Sequence, residues 1–150
     1  MMNASQLNEW VITPVLRKLG LYSPSAVNLL LGTAAQESHL GTYLKQINGP
    51  ALGIYQMEPA THDDIWKNYL NFRHTLSSLV LQYNQQNADA LLYNLAYATA
   101  LARIHYLRAP ESLPQANDIE GLAAYWKAHY NTRLGKGTTD EFIDNYKRFV

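Results

Sequence analysis

The sequence predicts a mainly α fold: one compact helical domain around a buried central helix, with room for at most a small hairpin. Three observations predict it. Apolar residues recur at helical spacing along most of the chain. Ser, Asp, Thr, Pro and Gly stand at the ends of those runs, where helices are capped or stopped. The stretch from Asp89 to Leu107 carries Leu91, Leu92, Leu95, Tyr97, Leu101 and Ile104 around every face, as suits a helix enclosed by others. A chain of 150 residues fits a single domain spanning residues 1–150.

Taken in order, Ser5 is placed to cap a first helix whose stripe is Leu7, Trp10, Val11, Val15 and Leu19. Pro14 is expected to kink or split it, and Gly20 to end it. Ser23 followed by Pro24 is a cap plus a first-turn proline, opening a helix through Val27, Leu30, Leu31 and Ala34 that ends near Gly41. Asn48, Gly49 and Pro50 then supply turn chemistry. Pro59 and the Thr61-to-Asp64 spacing predict a capping box and a helix through Ile65, Trp66 and Tyr69. A shorter helix follows around Leu76 to Tyr83, and the enclosed helix runs from Asp89 to Leu107. Asp118 caps a helix through Leu122, Tyr125 and Trp126. After a loop from Asn131 to Gly137, the Thr138-to-Glu141 spacing starts a last helix with Phe142, Ile143 and Tyr146.

Composition narrows the function. Charged residues make up only 16% of the chain, twelve basic and twelve acidic with no net charge. Backbone binding to nucleic acid needs clustered Lys and Arg, so neither nucleic acid nor an anionic membrane is an expected partner. General electrostatic attraction to any charged partner should be correspondingly weak, and salt should affect its binding mildly. There is no Cys, which removes disulfides, thiolate nucleophiles and sulfur-based zinc sites. Met1 to Trp10 lacks the basic start and apolar run of a secretory signal, and no stretch approaches the ~20 apolar residues of a membrane span. The expectation is synthesis in the cytoplasm with another component opening the way to any target outside it. His39, His62, Asp63, Asp64 and His74 fit no compact metal pattern, so neither metal nor other cofactor is expected.

Glu37 is the residue that points to chemistry. On a helix it continues the stripe Val27, Leu30, Ala34, so its carboxyl loses hydration, and it sits in the last turn, where the helix dipole disfavours an anion. Both effects raise its pKa, as a general acid near neutral pH requires. The plain alternative is a helix-end Glu turned to solvent or paired with Lys45.

The residues that follow discriminate. Gln36-Glu37-Ser38, a Gly-containing loop, then Gly53-Ile54-Tyr55-Gln56 and Pro59 resemble the signature of the soluble lytic transglycosylases, within the lysozyme-like superfamily. Nineteen residues separate Glu37 from Gln56, about the family's spacing. Asn94 to Leu107 is similar to the family's long buried helix. Either Ala123-Ala124-Tyr125 or Tyr130-Asn131 stands where the family has Ala-Tyr-Asn-Ala-Gly, although Trp126 follows the first Tyr, and Thr132 and Arg133 follow the second pair. The resemblance spans roughly Val27 to Asn131 and is strongest from Ala34 to Thr61. The short form without a signal looks like a bacteriophage or prophage product.

The resemblance implies a lysozyme-like α+β catalytic domain that degrades peptidoglycan, acting at the cell wall or periplasm or carried on a virion. Its partners would be peptidoglycan glycan strands, with a holin-type export route or virion proteins bringing it there. Glu37 would protonate the oxygen between N-acetylmuramic acid and N-acetylglucosamine, then act as base toward the sugar's C6 hydroxyl. Ser38, Tyr55, Gln56, Tyr125, Tyr130 and Asn131 are the implied substrate contacts. A two-carboxylate mechanism needs a partner ~5 to 9.5 Å away. Glu58 is the candidate, because it shares Gln56's side of an extended chain, whereas Asp63 and Asp64 are placed to serve the start of a helix. Two rival readings are a non-catalytic wall-binding or virion module that keeps the fold, and a chitinase.

Overall fold

The computed structural model describes residues 1–131 and 135–150; residues 132–134 of the expected 131–137 loop lie outside the described residues. Asn3, one turn ahead of Gln6, takes the capping role expected of Ser5. Its Oδ1 accepts the Gln6 amide at 3.1 Å, and α1 (Ala4–Leu7) starts before the serine is reached. At Pro14 the helical backbone runs on without a break and changes its winding instead. The proline ring leaves no N–H for the carbonyl of Trp10, and the chain widens into one π turn over Asn8–Ile12, where the Thr13 amide reaches back five residues to the Asn8 carbonyl. The helix resumes as α2 (Thr13–Leu19). Gly20, at φ +71°, closes it in the left-handed region.

Ser23 caps α3 (Pro24–Ser38), its Oγ accepting the Ala26 amide at 3.0 Å. This helix is buried along most of its length and ends at Ser38, three residues short of the expected Gly41. The stop is His39, which with Leu40 takes positive φ and turns the chain sharply beneath the last helical turn. The following loop forms two isolated bridges, Lys45 with Leu52 and Leu52 with Met57, in place of a hairpin.

The capping box expected at Thr61 does not form. α4 (Pro59–Asn68) begins at Pro59, which tolerates a first-turn position because its missing N–H is not needed there, so Thr61 is already inside the helix. Asp64 instead accepts from Asn68 and from Arg108, the latter at 2.8 Å. A 3-10 turn (Leu70–Phe72) leads into α5 (His74–Leu81).

The long enclosed helix expected from Asp89 to Leu107 is two pieces, α6 (Ala90–Tyr93) and α7 (Leu95–Leu107). Asn94 breaks it for a reason visible in its bonds. Its Oδ1 caps the Tyr97 amide at 3.0 Å while its Nδ2 donates to the Tyr83 carbonyl at 2.9 Å, tying α7 to the end of the α5 segment. α7 is buried almost throughout, as its all-round apolar character demands.

α8 (Ile119–His129) is capped by Asp118 and α9 (Thr139–Phe149) by Thr138, whose Oγ1 accepts the Glu141 amide at 3.1 Å, as the sequence predicts. α9 packs across α3 and α8. The closeness of that contact explains Gly32: a Cβ there would stand 2.3 Å from the Phe142 ring. Phe142 in turn lies against Trp126, ring centroids 5.4 Å apart. These packed helices hold the C-terminal end of α3 and one face of α8 side by side. No helix among the described residues is long and apolar enough to cross a membrane.

Candidate active site

The last turn of α3 brings Glu37 to the wall of a cleft of about 890 Å³. Stretches far apart in sequence line it: the end of α3, the 46–61 loop with the first turn of α4, the end of α7, and the segment after α8 with the first turn of α9. Glu37 is half-buried. The indole N–H of Trp126 donates to its Oε2 at 2.9 Å. Loss of hydration pushes its carboxyl from an ordinary 4.5 up to about 7, with the Trp126 bond pulling the other way by favouring the anion. The negative end of α3 acts in the same direction as burial. Lys45 does not neutralise it; the ammonium reaches the Gly49 carbonyl at 3.3 Å instead.

Of the expected contacts, Gln56, Tyr130 and Asn131 stand on this cleft with Glu37. Gln56 holds a left-handed backbone (φ +47°), and its Nε2 donates to the Gly53 carbonyl at 2.9 Å, which leaves the amide oxygen as an acceptor. The Tyr130 hydroxyl donates to the Tyr55 carbonyl at 2.6 Å, and its ring stacks on Tyr106 with centroids 5.2 Å apart. Asn131 accepts from Lys127, whose ammonium also reaches the Gly135 and Gly137 carbonyls at 3.1 and 2.6 Å. One cation thereby gathers both ends of the loop that borders the cleft. Glu58 lines the same cleft and is exposed.

Ser38, Tyr55 and Tyr125, also expected as substrate contacts, do not line this cleft. Ser38 is fully buried and works as a staple: its Oγ donates to the Ile54 carbonyl at 2.6 Å and accepts the Gly41 amide at 2.9 Å. The Glu-Ser pair therefore divides its work. The acid faces the cleft, and the serine locks the 53–57 turn against the helix that carries the acid. Tyr55 is buried, its hydroxyl paired with Thr99 Oγ1 at 2.8 Å. Tyr125 is buried against Tyr106, and its hydroxyl donates to the Glu111 carbonyl at 2.9 Å. Of the two tyrosines left open by the sequence, only Tyr130 reaches the cleft.

Two residues with direct bearing on the site escape sequence reasoning. Trp126 is the hydrogen-bond partner of Glu37 across 89 positions of chain, a pairing no local pattern encodes. His105 lines the cleft near the end of α7; on a helix that also carries Thr99 and Arg103, no local pattern marks it out. Among the described residues no cluster of three or more His, Asp or Glu side chains is arranged to hold a metal ion. His62 is buried with its two ring nitrogens bonded to Asp63 and to the Tyr97 hydroxyl, at 2.8 and 2.7 Å.

The chain matches no protein family, no curated protein and no solved structure.

Proposed function

We propose that the protein is a peptidoglycan-degrading glycosidase, a lytic transglycosylase or muramidase, that cleaves the bond between N-acetylmuramic acid and N-acetylglucosamine with Glu37 as general acid and base. The observation that carries this reading is a half-buried carboxyl on a cleft wall whose pKa is raised to about 7. Such a group keeps its proton near neutral pH yet can release it to a leaving oxygen, which is what glycoside cleavage asks of its acid.

In the first step the Glu37 proton passes to the bridging oxygen, the C1–O bond breaks, and positive charge gathers on the sugar ring. The Glu37 carboxylate left behind is steadied by the Trp126 N–H. It then takes back a proton, from the C6 hydroxyl of the same sugar as that oxygen bonds to C1, or from a water that adds there. Gln56 offers a neutral amide oxygen within the cleft to orient a sugar hydroxyl. Glu58 and Glu141 also line the cleft, and Glu58, beside Gln56, is the carboxylate we assign to activate a water if the route is hydrolytic.

Mass spectrometry of the products from purified peptidoglycan tests the reading. Release of muropeptides by the protein, lost in Glu37→Gln, is the expected result. Anhydro ends identify the transglycosylase route, and reducing ends that disappear in Glu58→Gln identify hydrolysis assisted by Glu58. Undiminished release by Glu37→Gln, or release from chitin and none from peptidoglycan, overturns the proposal.

A further inference from the structure

α7 is apolar on nearly every face, yet two residues before its end it presents His105 to the cleft. The imidazole stands edge-on to the ring of Tyr130, with centroids 5.2 Å apart and planes at 76°. Its nitrogens lie in different surroundings. Nδ1 is enclosed and has no hydrogen-bond partner among the described residues. The ring therefore has its Nε2 side to offer to the cleft.

The protonation state follows from what faces the ring. Burial lowers the His105 pKa to about 4; the positive Arg108 beside it lowers it further, Asp64 opposes the shift, and His129 adds to it. The ring is neutral where Glu37 still holds its proton, so one N–H is shared between two nitrogens. An enclosed N–H without an acceptor is a rarer and costlier orphan than an enclosed lone pair. The proton accordingly sits on Nε2, and the cleft meets an uncharged donor next to an aromatic ring.

Resting on the glycosidase reading, we infer that His105 determines specificity for N-acetylated sugars: its Nε2–H donates to the acetyl carbonyl of a sugar seated against Tyr130, whose ring covers the acetyl methyl. An acetamido group has the two halves this pair can satisfy, a neutral acceptor and a small apolar cap. A neutral donor also favours a carbonyl over a carboxylate, which would select a cation. Tyr130 joins this corner to the reacting one, since it touches His105 and feels the charge of Glu37. His105 and Glu37 line the same cleft from different helices, α7 and α3. His105 is a positioning and specificity residue, outside the proton transfer itself.

The test uses the trimer of N-acetylglucosamine and its fully de-N-acetylated counterpart as probes of the ¹⁵N-labelled protein. The acetylated trimer should shift the His105 Nε2 resonance and the de-acetylated one should not. His105→Phe, which keeps a ring and loses the donor, should weaken binding of the acetylated trimer about tenfold, the size of one hydrogen bond. His105→Gln, which restores an N–H, should recover part of that loss. KM on peptidoglycan should rise in parallel while kcat stays within about twofold. An unshifted His105 with the acetylated trimer present, or equal affinity in His105→Phe and the unaltered protein, overturns the inference. Muropeptide release by the unaltered protein reports on the glycosidase reading separately. Release without a His105 response sinks this inference alone, and a His105 response without release sinks the activity while sugar recognition by His105 stands.

Discussion

At the scale of single residues, the carboxyl of Glu37 is costly to the fold in a way that depends on pH. Its pKa is raised in the folded protein to about 7 from an ordinary 4.5, so between those values the folded state holds a proton that the unfolded chain releases. Stability contributed by that proton is full below about pH 4.5 and is lost as the pH rises toward 7; above that the fold carries a poorly hydrated anion. Glu37→Gln removes the ionisation and leaves an oxygen for the Trp126 N–H. The variant should be more stable than the parent above pH 7 by up to roughly 3 kcal/mol, with the gain vanishing below about pH 4.5. Denaturant unfolding of both proteins at pH 8 and pH 4 reads the difference directly. Equal stability at pH 8 would mean that the side chain escapes to water. Part of this site is legible in the sequence: Glu37 follows from continuing the stripe Val27, Leu30, Ala34 into a helix end, and Gln56 from the family motif that Gly53-Ile54-Tyr55-Gln56 resembles. Ser38 and Tyr55 were legible as a motif but not as to role, because a motif fixes which residues recur and leaves open which of them face inward.

Among elements, the turn from Gly53 to Met57 matters most to the site, since it places Gln56 opposite α3. Gly53 sits at φ +81°, and a Cβ there would meet the Leu91 carbonyl oxygen of α6 at 1.9 Å. That contact is with backbone, which cannot swing aside. Gly53→Ala should therefore cost at least about 2 kcal/mol in unfolding free energy, combining left-handed strain with overpacking. It should also lower activity beyond what lost stability explains, because the Gly53 carbonyl anchors the Gln56 amide. Activity measured well below the variant's melting temperature separates the two effects, and a fully active, stable Gly53→Ala would contradict this account of the turn. Element starts marked by local chemistry, such as Ser23-Pro24, Asp118 and Thr138, are legible in the sequence because the cap and its amide lie within one turn. The Asn94 break is not. The apolar run continues through it, and the reason for the break is the Tyr83 carbonyl eleven residues upstream, a tertiary partner that periodicity does not register. The missing capping box at Thr61 has the same origin: Pro59 starts the helix earlier, and Asp64 is drawn to Arg108 on another helix.

On the scale of the whole molecule, the cleft belongs to no single element. α3 supplies the acid, α8 the indole that touches it, α7 the imidazole, and the 53–58 turn the amide. α9 holds α3 and α8 together through Phe142, Gly32 and Trp126. The fold class is readable from the chain because helical periodicity is a local property repeated many times. The site is only partly readable, because Trp126 reaches Glu37 from 89 positions beyond it and His105 reaches the cleft from 68, and nothing in their own neighbourhoods announces the meeting. The state of Glu37 therefore reports on the assembled molecule, since its raised pKa comes from burial in the packed chain. A ¹³C NMR titration of the Glu37 side-chain carboxyl, assigned by its loss in Glu37→Gln, measures this most directly. The structure predicts a midpoint at about 7. A midpoint in the ordinary range near 4.5 would show a carboxyl in open water, and the proposed acid would have no proton to give.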